Sequence, residues 1–234
     1  MSSRTEAPRS GAALSAPSVP TLLSLNAGYV DTAGFLMLQG LFTAHVTGNF
    51  VTIGSVIANG SSGLVAKLLA LPVFCVTILA VQALALRLGG AAPRHLRRLL
   101  LAETVLLILG GAAAIGFGSD HGADSAPMIL AGMLLVTGMA IQNATQKLHL
   151  SSAPPTTMMT GTTTQLMLDL GSLMSGRGEA PEVVKPRLLR MLTAVVVFAI
   201  GCAAAALAVT SLGFWAFALP PLVTLRALWV QVRS

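Results

Sequence analysis

The sequence predicts an all-α fold, a polytopic helical membrane protein with about six spanning helices plus two broken or re-entrant helices. Three observations predict it. Charge is scarce: 9% of the residues are charged and 54% hydrophobic, with a mean hydropathy of +0.80, where an ordinary soluble domain carries about 25% charged residues. Apolar runs recur along nearly the whole chain, at about 21–38, 43–58, 64–88, 96–117, 127–146, 156–175, 188–211 and 213–230. Finally, two polar stretches echo one another, Phe42–Gly54 and Thr156–Gly171; their Thr47-Gly48 and Thr160-Gly161 pairs stand 113 residues apart in a chain of 234. That spacing is close to half the length and reads as an internal duplication.

In chain order, residues 1–19 are rich in Ser, Ala and Pro, with Arg4 and Arg9, and read as a disordered tail. The apolar run that follows is long enough to span and has no convincing small-residue cleavage site before the repeat begins, so it is expected to be a span and not a signal peptide. A single membrane domain covers 20–234, with repeat one at about 20–117 and repeat two at about 127–232. Six of the runs meet or approach the roughly 20 residues a spanning helix needs. The two Thr-Gly runs differ. Within Phe42–Gly54 stand His45, Asn49, three Thr and two Gly, and an unpaired polar group in hydrocarbon costs several kcal/mol. The chain therefore has either eight spans, or six with both Thr-Gly runs dipping in and returning.

Positive charge arbitrates, because Lys and Arg of short loops stay cytoplasmic. Six spans with a cytoplasmic N-terminus place 13 of the 14 Lys and Arg inside and only Lys67 outside, whereas eight spans split them 9 to 5. Six spans give three crossings per half, an odd number, so the second half is expected upside down relative to the first. Inverted repeats with interrupted helices meeting near the midplane are a recurrent transporter design. The same loops account for the net charge of +6, and with no aromatic interleaving they point away from nucleic acid. Cys75 and Cys202 sit inside apolar runs and read as small apolar fillers.

Polar residues at membrane depth are the candidate site. Asp31 lies mid-span, on one face with Gly28 and Thr32; a carboxylate there costs roughly 2.5–3.5 kcal/mol on insertion scales and is expected to face the bundle interior, as an ion or proton site or as a hydrogen-bonded structural group. His45 is expected to carry a proton, contact substrate or pair with Asp31, the alternative being a satisfied structural histidine among apolar neighbours. Thr47, Gly48 and Asn49, with Thr160, Gly161 and Thr162, are expected to interrupt helices: Gly relaxes the backbone, and Thr or Asn caps a half-helix whose free N–H groups favour an anion or carbonyl oxygen. Close packing through small residues is the alternative. In repeat two, Gly138, Gln142 and Thr145 share a face beside Asn143, so repeat two offers amides where repeat one offers a carboxylate. Asp169 shares a face with Thr162 and Gln165 and is expected to reach toward cytoplasmic water. Glu103 is expected to pair with Arg97 and Arg98. No metal-ligand spacing, phosphate loop, nucleophile elbow or Cys-x-x-Cys occurs, so no cofactor is expected.

Gly28-Tyr29-Val30-Asp31, Ala44-His45-Val46-Thr47-Gly48-Asn49, Gln142-Asn143 and Met159-Thr160-Gly161, in that order, resemble the YoaK-like bacterial multi-pass membrane proteins (domain of unknown function 1275). The resemblance covers nearly everything after residue 20. It implies a bacterial inner-membrane protein of about this length, and supplies neither substrate nor reaction. The leading functional expectation is a small-solute transporter or channel with its site between the two Thr-Gly segments, its partners being the bilayer, a small solute and a coupling ion. The alternatives are an intramembrane enzyme using Asp31 and His45 as an acid/base pair, and a structural or regulatory subunit.

Overall fold

The computed structural model describes residues 17–60, 62–88, 93–118, 121–122 and 124–233. The tail over 1–16 with Arg4 and Arg9, and Ser119, Asp120 and Ala123, lie outside the described residues. Every element among those described is helical: α1 Val19–Met37, α2 Gly48–Asn59, α3 Leu64–Arg87, α4 Pro93–Phe117, α5 Ala126–His149, α6 Met159–Ser175, α7 Pro181–Leu212, a 3₁₀ turn Gly213–Ala218, and α8 Pro220–Arg233. Proline opens α1, α5 and α7, where the missing N–H costs nothing. Gly60 and Gly176 close α2 and α6 in the left-handed conformation.

Four of these helices are long and apolar enough to cross a membrane: α3, α4 from Arg94, α5, and α7 with its 3₁₀ extension. The expected count of six rests further on α1, which carries Asn26, Asp31 and other polar residues over its 19 positions, and on α8, which has 14 residues. Helix α5 is mostly buried and forms the centre, whereas α3 and α7 present most of their surface outward. Side chains on that surface, such as Val76, Leu79, Leu86, Ile200 and Leu207, are exposed and apolar, which suits lipid and not water.

Close contacts set the helix directions. Gln142 on α5 donates to the Leu23 carbonyl near the start of α1. Ten positions earlier on α5, Gly132 packs against Leu38 and Leu41, just past the end of α1. The two helices therefore run antiparallel. Helix α7 crosses α1 where both backbones carry glycine: a Cβ at Gly28 would overlap the Phe198 carbonyl, and one at Gly201 the Leu25 carbonyl. Small residues at a helix crossing let backbones approach closely, which is how helices gain contact where no hydrophobic force separates them from lipid.

The two ends of the bundle differ. At one end Val19, Leu22 and Leu23 of α1, Leu96 and Leu100 of α4 and Ala227 of α8 form a cluster, His95 meets His149, and the guanidinium groups of Arg226 and Arg233 lie 4.0 and 3.6 Å from the Trp229 ring centre. At the other end α1 stops in a sharp turn in which Gln39 (φ 54°) and Gly40 (φ 78°) are both left-handed. Lys67, 2% exposed, holds this turn by donating to the carbonyls of Gln39, Ser62 and Gly63 at 2.5, 3.3 and 3.4 Å. The one basic residue expected outside is thus committed to backbone carbonyls.

Candidate functional site

After the Gln39-Gly40 turn the chain does not continue outward. It folds back alongside α1, and Asp31 fastens it. The carboxylate lies six residues before the end of α1, about 9 Å down the helix. Its Oδ1 accepts the Thr43 and Ala44 amides at 2.8 and 2.6 Å and the Thr43 hydroxyl at 3.1 Å. Its Oδ2 accepts the His45 amide at 3.2 Å and stands 2.5 Å from His45 Nδ1. Five donors converge on one side chain. This is how a carboxylate survives at 3% exposure: it is satisfied by a loop, where the cost of burying it alone would be prohibitive. Asn49 reinforces the loop by pairing both ways with the Phe42 backbone, at 2.9 and 2.8 Å. Helix α2 then starts at Gly48 and climbs back toward the end it left.

Thr47 occupies the N-cap position of α2 but its side chain makes no capping bond. Gly48 has an ordinary helical backbone, and its small size matters instead because a Cβ would stand 2.9 Å from the Phe42 ring. Thr160 and Gly161 do not interrupt a helix: α6 begins before them at Met159, and a Cβ at Gly161 would meet nothing within 4 Å. The expected backbone role of Gly161 is therefore corrected. Along the first turns of α6 Thr160, Gly161, Thr163 and Thr164 are exposed and Thr162 is buried; Thr164 returns its hydroxyl to the Thr160 carbonyl and Thr162 its own to Met158.

Amides tie down the loop that follows α5. Gln142 donates to the Thr156 hydroxyl at 3.1 Å, and Asn143 accepts the Thr157 hydroxyl at 2.7 Å. The ring of His45 faces the Thr157 backbone, so the loop after α1 and the loop after α5 meet.

A cavity of about 530 Å³ opens beside the first loop, lined by Asp31, Thr32, Phe35, Phe42, His45, Thr47, Gly48, Phe198 and Cys202. Its wall is largely apolar and aromatic, and its principal polar feature is the His45 ring, which is 35% exposed while the Asp31 side chain behind it is 4% exposed. The Phe198 ring meets His45 edge-on at 5.7 Å. Cys202, read from sequence as filler, lines this cavity beside Gly28, and nothing in its local sequence marks it. Asn143 lines a second cavity of about 300 Å³ with Phe74, Ile78, Gln82, Lys147 and Met158.

The remaining sequence candidates fall elsewhere. Gln165 donates to Asp169 at 2.8 Å, and Arg187 grips the same carboxylate through Nε at 2.7 Å and Nη2 at 2.9 Å while reaching Glu179 at 2.8 Å. Asp169 is buried in this pair, not extended to water. Glu103 is also corrected: Arg97 and Arg98 are exposed, whereas Glu103 is fully buried and receives the Asn26 amide at 3.3 Å. A charge two turns into a span read as reachable by basic neighbours, but the helix turns it to the opposite face.

A family model described as "Protein of unknown function (DUF1275)" matches residues 19–230. The chain belongs to this family. It is also 28% identical over 192 residues to the UPF0700 transmembrane protein YoaK of Bacillus subtilis (strain 168), covering 80% of this chain and 81% of that one. No solved structure matches. With its apolar helices, this membership makes the chain a multi-pass integral membrane protein of the YoaK-like family.

Proposed function

We propose that this family member is a small-solute transporter or channel of the bacterial inner membrane, with its N-terminus cytoplasmic and its solute site in the 530 Å³ cavity beside His45. The observation that carries the reading is a cavity of ordinary ligand size placed against re-entrant backbone, since non-helical backbone at membrane depth is tolerated only where protein buries it or water reaches it. Three phenylalanines and one histidine suit a small, mainly apolar solute with a single hydrogen-bonding group. Asp31 acts behind His45: both its oxygens are taken, so the group that exchanges protons or meets the solute is the imidazole, which Asp31 orients.

Six crossings in two inverted halves accommodate this site. The leading helices α1 and α5 run antiparallel; each is followed by a hairpin tied to a mid-helix polar side chain and then by a short helix. The basic end, with Trp229 beneath two arginines, has the character of a cytoplasmic interface. The enzyme alternative uses the same Asp31–His45 pair, but no hydroxyl or thiol among the described residues hydrogen-bonds to the ring.

The test is proton or solute flux in liposomes holding purified protein, with an entrapped pH dye as the first probe. His45→Gln is expected to reduce flux at unchanged expression and folding, and Gln165→Ala to leave it intact. Equal flux in wild type, His45→Gln and empty liposomes would remove the transport reading.

A further inference from the structure

Away from the cavity, a second polar system occupies the centre of the bundle between α1, α4 and α5. Glu103, Asn26, Gln142 and Thr156 are all fully buried and joined in a row: Asn26 Nδ2 donates to Glu103 Oε1 at 3.3 Å and to Gln142 Oε1 at 3.2 Å, and Gln142 Nε2 donates to Thr156 at 3.1 Å. No cation balances the carboxyl: the ion pairs among the described residues are His45–Asp31, Arg187–Asp169 and Arg187–Glu179. Two oxygens in this row have no partner, Asn26 Oδ1 and Glu103 Oε2. They belong to two groups already in contact. As an amide oxygen and a carboxylate oxygen both can only accept, so neither satisfies the other. One proton changes that. A protonated Oε2 donates to Oδ1 while Nδ2 donates to Oε1, and the acid and amide close a two-bond ring that leaves neither orphaned.

The other unpartnered atoms extend the pattern. Of the six buried side-chain atoms without a partner among the described residues, three more are Thr145 Oγ1, Gln146 Oε1 and His95 Nε2. Thr145 and Gln146 stand one turn along α5 from Gln142, and His149 one further turn on, where its Nε2 meets His95 Nδ1 at 2.9 Å. Gln142 and His149 are about 10 Å apart along α5, with Thr145 and Gln146 between them; Asn26 and Glu103 reach this stretch at Gln142 and His95 at His149. A buried polar group without a partner calls for a physical reason, and five of the six follow this one stretch of α5.

We infer that Glu103 binds a proton at the centre of the bundle, closed against Asn26 as acid to amide, and that the column through Thr145 to the His149–His95 pair exchanges that proton with the basic end. The group bonded to Glu103 is Asn26 of α1, which also donates to Gln142 of α5; α8 offers Thr224 to the neighbouring Thr104, and the nearest titratable groups along the column are the two histidines. A metal cation fits poorly, because only two oxygens here are uncommitted and no group of three His, Cys, Asp or Glu side chains occurs among the described residues. This inference does not rest on the solute cavity.

The test is infrared spectroscopy of the purified protein in lipid, near neutral pH, where exposed glutamates are ionised. Wild type is expected to show the carbonyl stretch of a protonated carboxylic acid. Selective ¹³C-glutamate labelling should shift it, Glu103→Gln should abolish it, and Asp31→Asn should keep it. Transfer to D₂O should shift the band, and Thr145→Val, which removes a hydroxyl that bonds to nothing, should slow that exchange. A band insensitive to glutamate labelling, or none in wild type, overturns proton binding without needing any variant to fold. A sodium-dependent loss of the band would show a cation in its place, and exchange equally fast in Thr145→Val would overturn the column.

Discussion

Asp31→Asn separates an anchoring carboxylate from one that merely binds an ion. Asn keeps one acceptor oxygen. Set at the Oδ1 position it retains the Thr43 and Ala44 amides and the Thr43 hydroxyl, now without the extra strength of a charged acceptor. Its NH₂ group then faces the His45 amide, a donor that cannot reverse, and the His45 ring. A buried donor left unsatisfied costs about 1–3 kcal/mol, and breaking a buried charge pair about 3–5 kcal/mol in all. At roughly 2–4 °C per kcal/mol for a chain of this size, Tm should fall by roughly 6–20 °C. The assay is thermal unfolding of purified protein in one detergent, read by intrinsic fluorescence and by loss of monodispersity. A fall of less than about 2 °C would show that the loop stands without the carboxylate and return Asp31 to the role of a free ion ligand.

Other outcomes follow from the packing. Gly28→Leu and Gly201→Leu should abolish folded protein, because each side chain would enter the partner helix backbone; Gly161→Leu, with open space around it, should express and unfold like wild type, as gel filtration and melting will show. Arg187→Met should destabilise the α6–α7 junction by stranding Asp169, and the double variant Arg187→Met/Asp169→Leu should recover most of the loss in the same melting assay. Single cysteines at Glu182 and Gly122, in a chain lacking Cys75 and Cys202, should label from opposite faces of the membrane in intact and permeabilised cells. Labelling of both from one face would exclude the six-crossing arrangement.

The helices were legible because hydropathy alone places them: the eight apolar runs became eight helices, with ends shifted by up to seven residues, most at the starts of α7 and α8. The polar residues of the first dip were legible for the same reason, since Asp31 and His45 are anomalous in an apolar segment and burial forces them to find partners. What could not be read was which partner. Sequence spacing placed Glu103 near Arg97 and Arg98, but the helix face sends it inward to Asn26, a residue 77 positions away. Gly48 and Gly161 look equivalent in a repeat, yet only one has a phenylalanine against it. The glycines that matter most, Gly28 and Gly201, bear on each other's helices across the fold, a pairing no local pattern carries.

The most direct measurement is modification of native Cys202 by a membrane-impermeant cationic thiosulfonate in intact cells and inverted vesicles. Cys202 lines the cavity, and Cys75 lies exposed on the outer surface of α3, where the bilayer would cover it. Water reaching a solute site predicts that Cys202 is modified, that Cys202→Ser abolishes the signal, and that Cys75 stays unmodified. Modification confined to membrane-permeant reagents, or absent at Cys202 from both faces, would mean a dry cavity and contradict the transport site.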